Sequence, residues 1–308
     1  MIIIIIGCGG RENILSEKLN NGHNKLYCIG EWINPDIQKN VVSYFKTSIS
    51  NIHEILSCIK KINPDLIVVG PESILETSLI DQCTKLGFKC IGPNKNLAQL
   101  ETSKIFTRNL LSEMNEEKYN PIYFSLDENN YETKIINFIN EQNKSFVIKL
   151  NGLAGGKGVF VQGDHFEKTE DGINIIKNNI NKNKIIIEEK LIGEEFSLFT
   201  LSDGENFVHF PPVQDYKRAY DGNKGPNTGG MGSIMDNFNF LSNENINQCE
   251  KLNSDVIKFL KNKYDQSYIG ILYGSYIKTE NNGIKLIEFN CRFGDSEVFN
   301  LLSSIKND

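Results

Sequence analysis

Residues 2–6 are five consecutive isoleucines, and the chain then reads Gly-Cys-Gly-Gly-Arg-Glu. A β-branched run that is apolar on both faces suits a strand buried between two layers, the place strands take in a parallel sheet. The glycines allow a tight turn, and Ile14, Leu15 and Leu19 then recur at helical spacing. Similar pieces follow: strands over 26–29, 66–69 and 89–91, and helical periodicity over 52–62 and 75–86. Strands alternating with helices predict a doubly wound parallel-sheet domain over residues 1–96.

Beyond residue 96 the pattern becomes α+β. Residues 97–114 read as one amphipathic helix. Strands at 146–149 and 159–162 flank the glycine loop 152–158, a spacing that predicts an antiparallel hairpin. A helix within 172–181 and a strand over 184–188 complete a lid-like unit of about 121–190. Strands at 195–201 and 207–210, a long glycine-rich loop, a helix at 245–263 and strands at 269–278 and 284–289 fill the rest of the domain over 97–308.

At 308 residues the chain suits two or three packed units. Its formal charge of −6 argues against a surface that tracks nucleic acid, yet leaves room for a small anionic ligand. The seven cysteines are scattered and never spaced C-x-x-C, which points away from zinc or a disulfide framework and towards a reducing cytoplasm. The isoleucine run is too short to span a membrane and lacks the flanks of a signal peptide.

Four stretches carry chemistry. In V-I-K-L-N-G-L-A-G-G-K-G-V, from Val147, glycines offer backbone N–H groups to phosphate while Lys149 and Lys157 flank the loop. It is not a Walker loop, because no Ser or Thr follows the lysine; alone, it fits a solvated hairpin tip as well as a nucleotide site. In I-E-F-N-C-R-F-G-D, from Ile287, Glu288 and Asn290 share a strand face, and two oxygen donors side by side suit Mg²⁺. Arg292 follows on that side, with a planar fork for a carboxylate or phosphate. The run Gln-Asp-Tyr-Lys-Arg at 214–218 leads to G-P-N-T-G-G-M-G at 225–232, a loop with too little apolar content to pack a core. Loops of that kind are functional or disordered, and the basic residues Lys217 and Arg218 before this one suit an anionic substrate. Finally, Gly9 and Gly10 open a helix beside Arg11, and the turn fits a single-phosphate site and a plain strand-to-helix connection equally well. Glu12 stands where a dinucleotide fingerprint has its third glycine, which excludes that reading.

Eight short words occur in order from first strand to last. They are G-x-G-G-R-E from Gly7, V-G-P-E from Val69, L-E-x-S-K-x-F from Leu100, V-I-K-x-x-G-L-A-x-G-K-G-V from Val147, I-E-E-x-L-x-G-E-E from Ile187, Q-D-x-K-R from Gln214, G-P-N-T-G-G-M-G from Gly225 and I-E-F-N-C-R-F-G-D from Ile287. Together they make the chain resemble the glycinamide ribonucleotide synthetase family, the phosphoribosylamine–glycine ligases. The resemblance implies an N-terminal parallel-sheet domain followed by an ATP-grasp fold with a small lid. It also implies that glycine is activated by ATP to glycyl phosphate, which 5-phosphoribosylamine attacks.

Carried over by position, Lys104, Lys149, Lys157, Gly155 and Gly156 would meet ATP phosphates. Glu188, Glu189 and Leu191 would line the adenine, and Glu195 the ribose. Glu288 and Asn290 would hold Mg²⁺ or Mn²⁺. Asp215, Lys217, Asn227, Thr228, Gly229, Gly230 and Arg292 would surround glycine and the acyl phosphate, with Arg292, Lys157, Asp215 and Lys217 acting in catalysis. Gly9, Gly10, Arg11 and Glu72 would hold phosphoribosylamine. Asn13 and Tyr216 replace the family's usual histidines, Leu150-Asn151 its Ala-Asp, and Ser296 its proline. The family continues past this length with a further domain, so the resemblance also admits a separate C-terminal domain chain as partner. Other expectations are an ATP-binding subunit inactive without that partner, or another ATP-grasp ligase. Neither nucleic acid nor membrane is an expected partner.

Overall fold

The computed structural model describes residues 1–126, 131–142, 145–155, 157–222, 224–280 and 283–306. The chain forms two compact units, one of Met1–Ala98, Phe196–Ser275 and Phe289–Asp308, the other of Gln99–Glu195 and Tyr276–Glu288.

The first unit opens with β1 (Ile2–Ile6), α1 (Gly10–Leu19), β2 (Lys25–Gly30), α2 (Pro35–Asn40), β3 (Ser43–Lys46), α3 (Ile52–Ile62), β4 (Leu66–Val69), α4 (Glu72–Leu75), α5 (Leu79–Lys85) and β5 (Cys90–Ile91). These strands form a sheet of order β3-β2-β1-β4-β5. All four pairings are parallel. The isoleucine run is the central strand, and Ile3 to Ile6 are no more than 2% exposed, as a strand covered on both faces requires. The strand order reverses at β1 and β4, so their C-terminal ends flank a crevice where such sheets place ligands. Within the periodic stretch 75–86 the helix α5 starts only at Leu79, and α4 ends at Leu75, because Thr77 bends back between them: its hydroxyl donates to the Ile74 carbonyl and accepts from the Leu79 N–H.

The second unit carries α6 (Gln99–Thr102), α7 (Lys104–Glu113), β6 (Tyr123–Leu126), α8 (Tyr131–Gln142), β7 (Phe146–Leu150), β8 (Val159–Val161), α9 (Thr169–Asn179) and β9 (Ile185–Glu189). The strands β6 to β9 form an antiparallel sheet in the order β6-β9-β7-β8. The hairpin around the glycine loop is therefore present as β7 and β8. Leu126, Ile135, Phe138, Phe146, Ile148, Phe166, Ile176, Ile185 and Ile187 form one apolar cluster beneath α8 and α9.

Residues 97–114 are not one helix. Ser103 is extended (φ −143°, ψ 104°) and caps α7, accepting from the Phe106 N–H. The side-chain Oδ1 of Asn151 accepts from the Ser103 hydroxyl (3.2 Å) and the Ile105 N–H (3.1 Å). These side-chain bonds replace the helical ladder at the break, a competition that periodicity does not register.

The chain continues through β10 (Gly193–Asp203), β11 (Phe207–His209), β12 (Val213–Asp215), β13 (Arg218–Tyr220), β14 (Lys224–Asn227), β15 (Ser233–Met235), α10 (Asn243–Tyr264), β16 (Ile269–Thr279), β17 (Ile284–Asn290) and α11 (Glu297–Ser304). A six-stranded sheet runs β15-β12-β10-β16-β17, with β11 beside β10, and β13 pairs with β14 as a ribbon. The stretch read as one long glycine-rich loop is thus organised by short strands. In the first unit, Val298 and Leu302 of α11 join Ile3, Leu15, Leu26 and Val68 in one cluster, which brings the chain's end against α1 and β1.

Replacing Ser103 with Ala should cost about 1 kcal/mol, the usual worth of an N-cap, measured as a lower urea midpoint. An unchanged midpoint would show that the cap does not hold the break.

Candidate functional site

In the second unit the site begins with a buried acid. On the antiparallel pair β7–β9, Val147 faces Glu188, so Lys149, two residues along, lies diagonally across from Glu188 on the same face. The Lys149 ammonium is 2.6 Å from Glu188 Oε2. From α7, the Arg108 guanidinium grips the same carboxylate at 2.7 and 3.1 Å. Its other donors reach the Leu286 and Ile287 carbonyls and Asn120 Oδ1, so each of its N–H groups has an acceptor. Burial pushes the Glu188 carboxyl up, but Arg108 and Lys149 outweigh it and bring it down to about 2. These ion pairs contribute stability above the ordinary carboxylate range and are lost only as pH falls towards that value.

Lys104, the first residue of α7, donates to the Gly152 carbonyl at 3.0 Å. Burial lowers its pKa below the ordinary lysine value; Glu288 opposes the shift, and Lys149 adds to it. Lys104, Lys149, Glu188 and Glu288 therefore act on one another within a single electrostatic neighbourhood. Gly155 adopts φ +53° in the exposed loop, Lys157 is exposed just beyond it, and Gly156 lies outside the described residues. Glu189 is buried and accepts from the Ile122 N–H at 3.0 Å. Leu191 is half-buried on the link to β10, and Glu195 is exposed on that strand. The Glu188 side chain is thus committed to Arg108 and Lys149, and Arg108 itself was not among the residues singled out by sequence. A hydrophilic residue within a helical period reads as surface; only its 2% exposure reveals the role.

In the first unit a second cluster gathers at the C-terminal ends of β1 and β4. Gly9 caps α1, and Arg11 follows on its first turn. The Arg11 guanidinium donates to the Phe293 carbonyl at 2.7 Å and lies 3.6 Å from Glu72. Arg292 Nε stands 3.1 Å from the same Glu72 oxygen, and its other nitrogens donate to the Phe293 carbonyl and to Asn290 Oδ1. Burial raises the Glu72 carboxyl, but Arg292 and then Arg11 carry it below the usual carboxylate range. Two cations held by one acid and one carbonyl at a topological switch point make a preorganised receptor for an anion. Gly10 and Gly230 adjoin the same corner: a Cβ on Gly10 would lie 3.4 Å from Asp295 Oδ1, and one on Gly230 3.0 Å from the Asp295 carbonyl.

Beside it, Lys217 pairs with Asp215 at 3.3 Å. The Lys217 carbonyl accepts from both the N–H (2.7 Å) and the hydroxyl (2.9 Å) of Thr228, whose hydroxyl accepts from the Gly230 N–H. Asp215, Lys217, Thr228 and Gly230 are thereby laced together, while Asn227 on β14 and Gly229 are exposed. A buried acid not singled out by sequence, Glu297, accepts from the Tyr273 hydroxyl at 3.0 Å. Burial and then Asp215 raise its carboxyl.

Glu288 and Asn290 stand two residues apart on β17, with Glu288 half-buried and Asn290 buried. A carboxylate and an amide oxygen at that spacing fit a hard divalent cation that completes its shell with phosphate and water. No group of three His, Cys, Asp or Glu able to hold a metal occurs among the described residues. No helix among them is long and apolar enough to cross a membrane.

Residues 1–101 match the N domain of phosphoribosylglycinamide synthetase, and residues 102–298 its ATP-grasp (A) domain. Phosphoribosylamine–glycine ligases of Methanocella arvoryzae and Methanosarcina barkeri are 34% and 36% identical over the whole chain, which spans 71% of each. The crystal structure of phosphoribosylamine–glycine ligase from Thermotoga maritima superposes with a TM-score of 0.79 at 25% identity, covering 98% of this chain and 72% of that one. N5-carboxyaminoimidazole synthetase from Staphylococcus aureus, in complex with ADP, shares the fold at TM-score 0.71 and 15% identity, over 96% of this chain and 71% of that one.

Replacing Arg108 with Met leaves a buried carboxylate short of its main partner, a change expected to cost about 3–5 kcal/mol in chemical denaturation. A loss below about 0.5 kcal/mol would mean that Glu188 does not depend on Arg108.

Proposed function

The chain belongs to the phosphoribosylglycinamide synthetase family, and on that premise we propose how its residues join glycine to 5-phosphoribosylamine with ATP. It is an ATP-dependent carbon–nitrogen ligase of purine biosynthesis. The observation that carries the residue assignment is the shared neighbourhood of Lys104, Lys149 and Glu288 in the second unit. One buried and one half-buried ammonium group beside an acid are what the phosphates of a nucleotide and its metal need. An ammonium has three donors, so Lys149 can meet Glu188, the Ile287 carbonyl and a phosphate oxygen together.

In this reading Lys104, Lys149 and Lys157, with Gly155 and Gly156, neutralise the phosphates of ATP. Glu188 to Leu191 border the adenine and Glu195 the ribose, with the Glu188 carboxylate fixing Lys149. Glu288 and Asn290 would hold Mg²⁺ or Mn²⁺, whose charge withdraws electron density from the phosphates. A carboxylate oxygen of glycine attacks the γ-phosphorus, the bond to the β-phosphate oxygen breaks, and ADP departs. The amine of phosphoribosylamine then attacks the acyl carbon, releases inorganic phosphate and loses a proton. Asp215 receives an amine, Lys217 and Arg292 steady the anionic acyl phosphate, and the loop Asn227, Thr228, Gly229 and Gly230 encloses it. Gly9, Gly10, Arg11 and Glu72 take the phosphoribosyl amine. No side-chain nucleophile is required, since positioning and charge neutralisation supply most of the acceleration in phosphoryl transfer.

A reducing cytoplasm is the proposed setting, in which scattered cysteines remain thiols. The relatives extend beyond the length that this chain spans, and a separately supplied C-terminal domain is the macromolecular partner to include in assays.

ADP release should require glycine and phosphoribosylamine together; release with glycine replaced by other amino acids would sink the assignment. Glu288→Gln and Lys157→Ala should each cut turnover by at least about 100-fold without unfolding the chain, as loss of an electrostatic contact to the transition state does. Near-full activity of either variant would refute its role. Because burial lets Lys104 lose its proton below the ordinary lysine range, ATP affinity should weaken as pH rises through that lowered value. Lys104→Arg should remove this alkaline limb in calorimetric titrations, and an identical limb in both proteins would rule Lys104 out.

A further inference from the structure

The glycine turn after β1 has the composition of an anion cradle, but its interior already holds an anion from the protein itself. Glu12 is 3% exposed, and its Oε2 accepts from the Gly9 N–H at 2.6 Å. Its Oε1 takes the Arg11 Nε–H at 3.0 Å. The surrounding glycines are shaped to this carboxylate. Gly7 sits at φ +122°, where a Cβ would lie 2.7 Å from Glu12 Cγ and Cδ, and a Cβ on Gly70 would lie 1.8 Å from Glu12 Oε1. No side chain other than hydrogen fits either place without expelling Glu12.

This filling changes what the turn offers to a ligand. Gly9 is the N-cap of α1, so its N–H is one of the helix-end donors open to a bound phosphate, and Glu12 has taken it. Glu12 also occupies Arg11 Nε, which leaves the terminal nitrogens of that guanidinium for the Phe293 carbonyl and the Glu72 side. Both effects direct recognition of an anion away from the glycine backbone and towards the arginine fork.

We propose that Glu12 is a positioning residue for the phosphoribosyl substrate, filling the glycine cradle, fixing Gly9 and aiming Arg11 at the anion the site receives. The proposal rests on the reading of this chain as a phosphoribosylamine–glycine ligase. Glu12 touches no reacting atom; it acts through Gly9 and Arg11. A Gln at the position can still accept from Gly9, but its amide nitrogen turns a donor towards Arg11 Nε, so the guanidinium loses its anchor.

Binding of the stable product glycinamide ribonucleotide, measured by calorimetry beside ATP binding, separates the possibilities. Glu12→Gln should weaken glycinamide ribonucleotide by about tenfold or more while leaving ATP affinity within about twofold. Gly70→Ala, whose Cβ would displace the same carboxylate, should reproduce that selective loss. The double variant Glu12→Ala/Gly70→Ala should bind no more weakly than Gly70→Ala alone, because both changes act through one contact. Should Glu12→Gln not fold, Glu12→Asp, which keeps the charge, should show a smaller loss of the same selectivity. Wild-type affinity for glycinamide ribonucleotide in Glu12→Gln would overturn the proposal, as would equal losses for product and ATP, which mark a merely structural role. Failure of the wild-type chain itself to bind the product would contradict the functional reading and withdraw this inference with it.

Discussion

Glu188 sits where no water can solvate it, and a carboxylate there is tolerable only if cations and donors meet it at close range. Arg108 does so with two parallel bonds and Lys149 with a third. Because Arg108 also satisfies the carbonyls of Leu286 and Ile287, the same contact fixes α7, β7, β9 and the strand that carries Glu288. The consequence is functional as well as structural. Lys149 is held in one place by a partner that remains ionised down to about 2. Lys104 is kept in a setting that costs it some affinity for its own proton. A site arranged this way has already met the desolvation of its cations before a polyphosphate arrives, so their charge acts at full strength on the ligand.

The first unit repeats the arrangement of two cations on one acid. Arg11 and Arg292 converge on Glu72 and on the Phe293 carbonyl, and the neighbouring Glu12 fills the glycine turn from within. Parallel strand order brings these residues together, because β1 and β4 end side by side at the point where the connections diverge. The clustering of Val298 and Leu302 with Ile3 and Leu15 then brings the segment that bears Arg292 back to the first strand, far away in sequence.

Much of this is legible in the amino-acid sequence. The isoleucine run could only be a strand covered on both faces, and the hairpin about the glycine loop followed from two short apolar runs on either side of it. What escaped was decided by single side chains competing with the backbone. Ser103 and Asn151 break a helix that periodicity extends without interruption. Short ladders such as Val213–Asp215 against Ser233–Met235 organise a stretch whose composition signals only a loop. Arg108 and Glu12 are charged residues in helical segments, and nothing local distinguishes a solvated charge from one held in the interior. The glycines at 7 and 70 did carry a clue, since their lack of a side chain records the room that Glu12 needs.

The chain is expected to pass the γ-phosphate of ATP to the carboxylate of glycine before the amine attacks. Turnover with glycine labelled with oxygen-18 in its carboxylate tests it most directly. One labelled oxygen should appear in the released phosphate, because the acyl carbon–oxygen bond breaks when glycyl phosphate is consumed. Unlabelled phosphate, formed while glycinamide ribonucleotide accumulates, would contradict it.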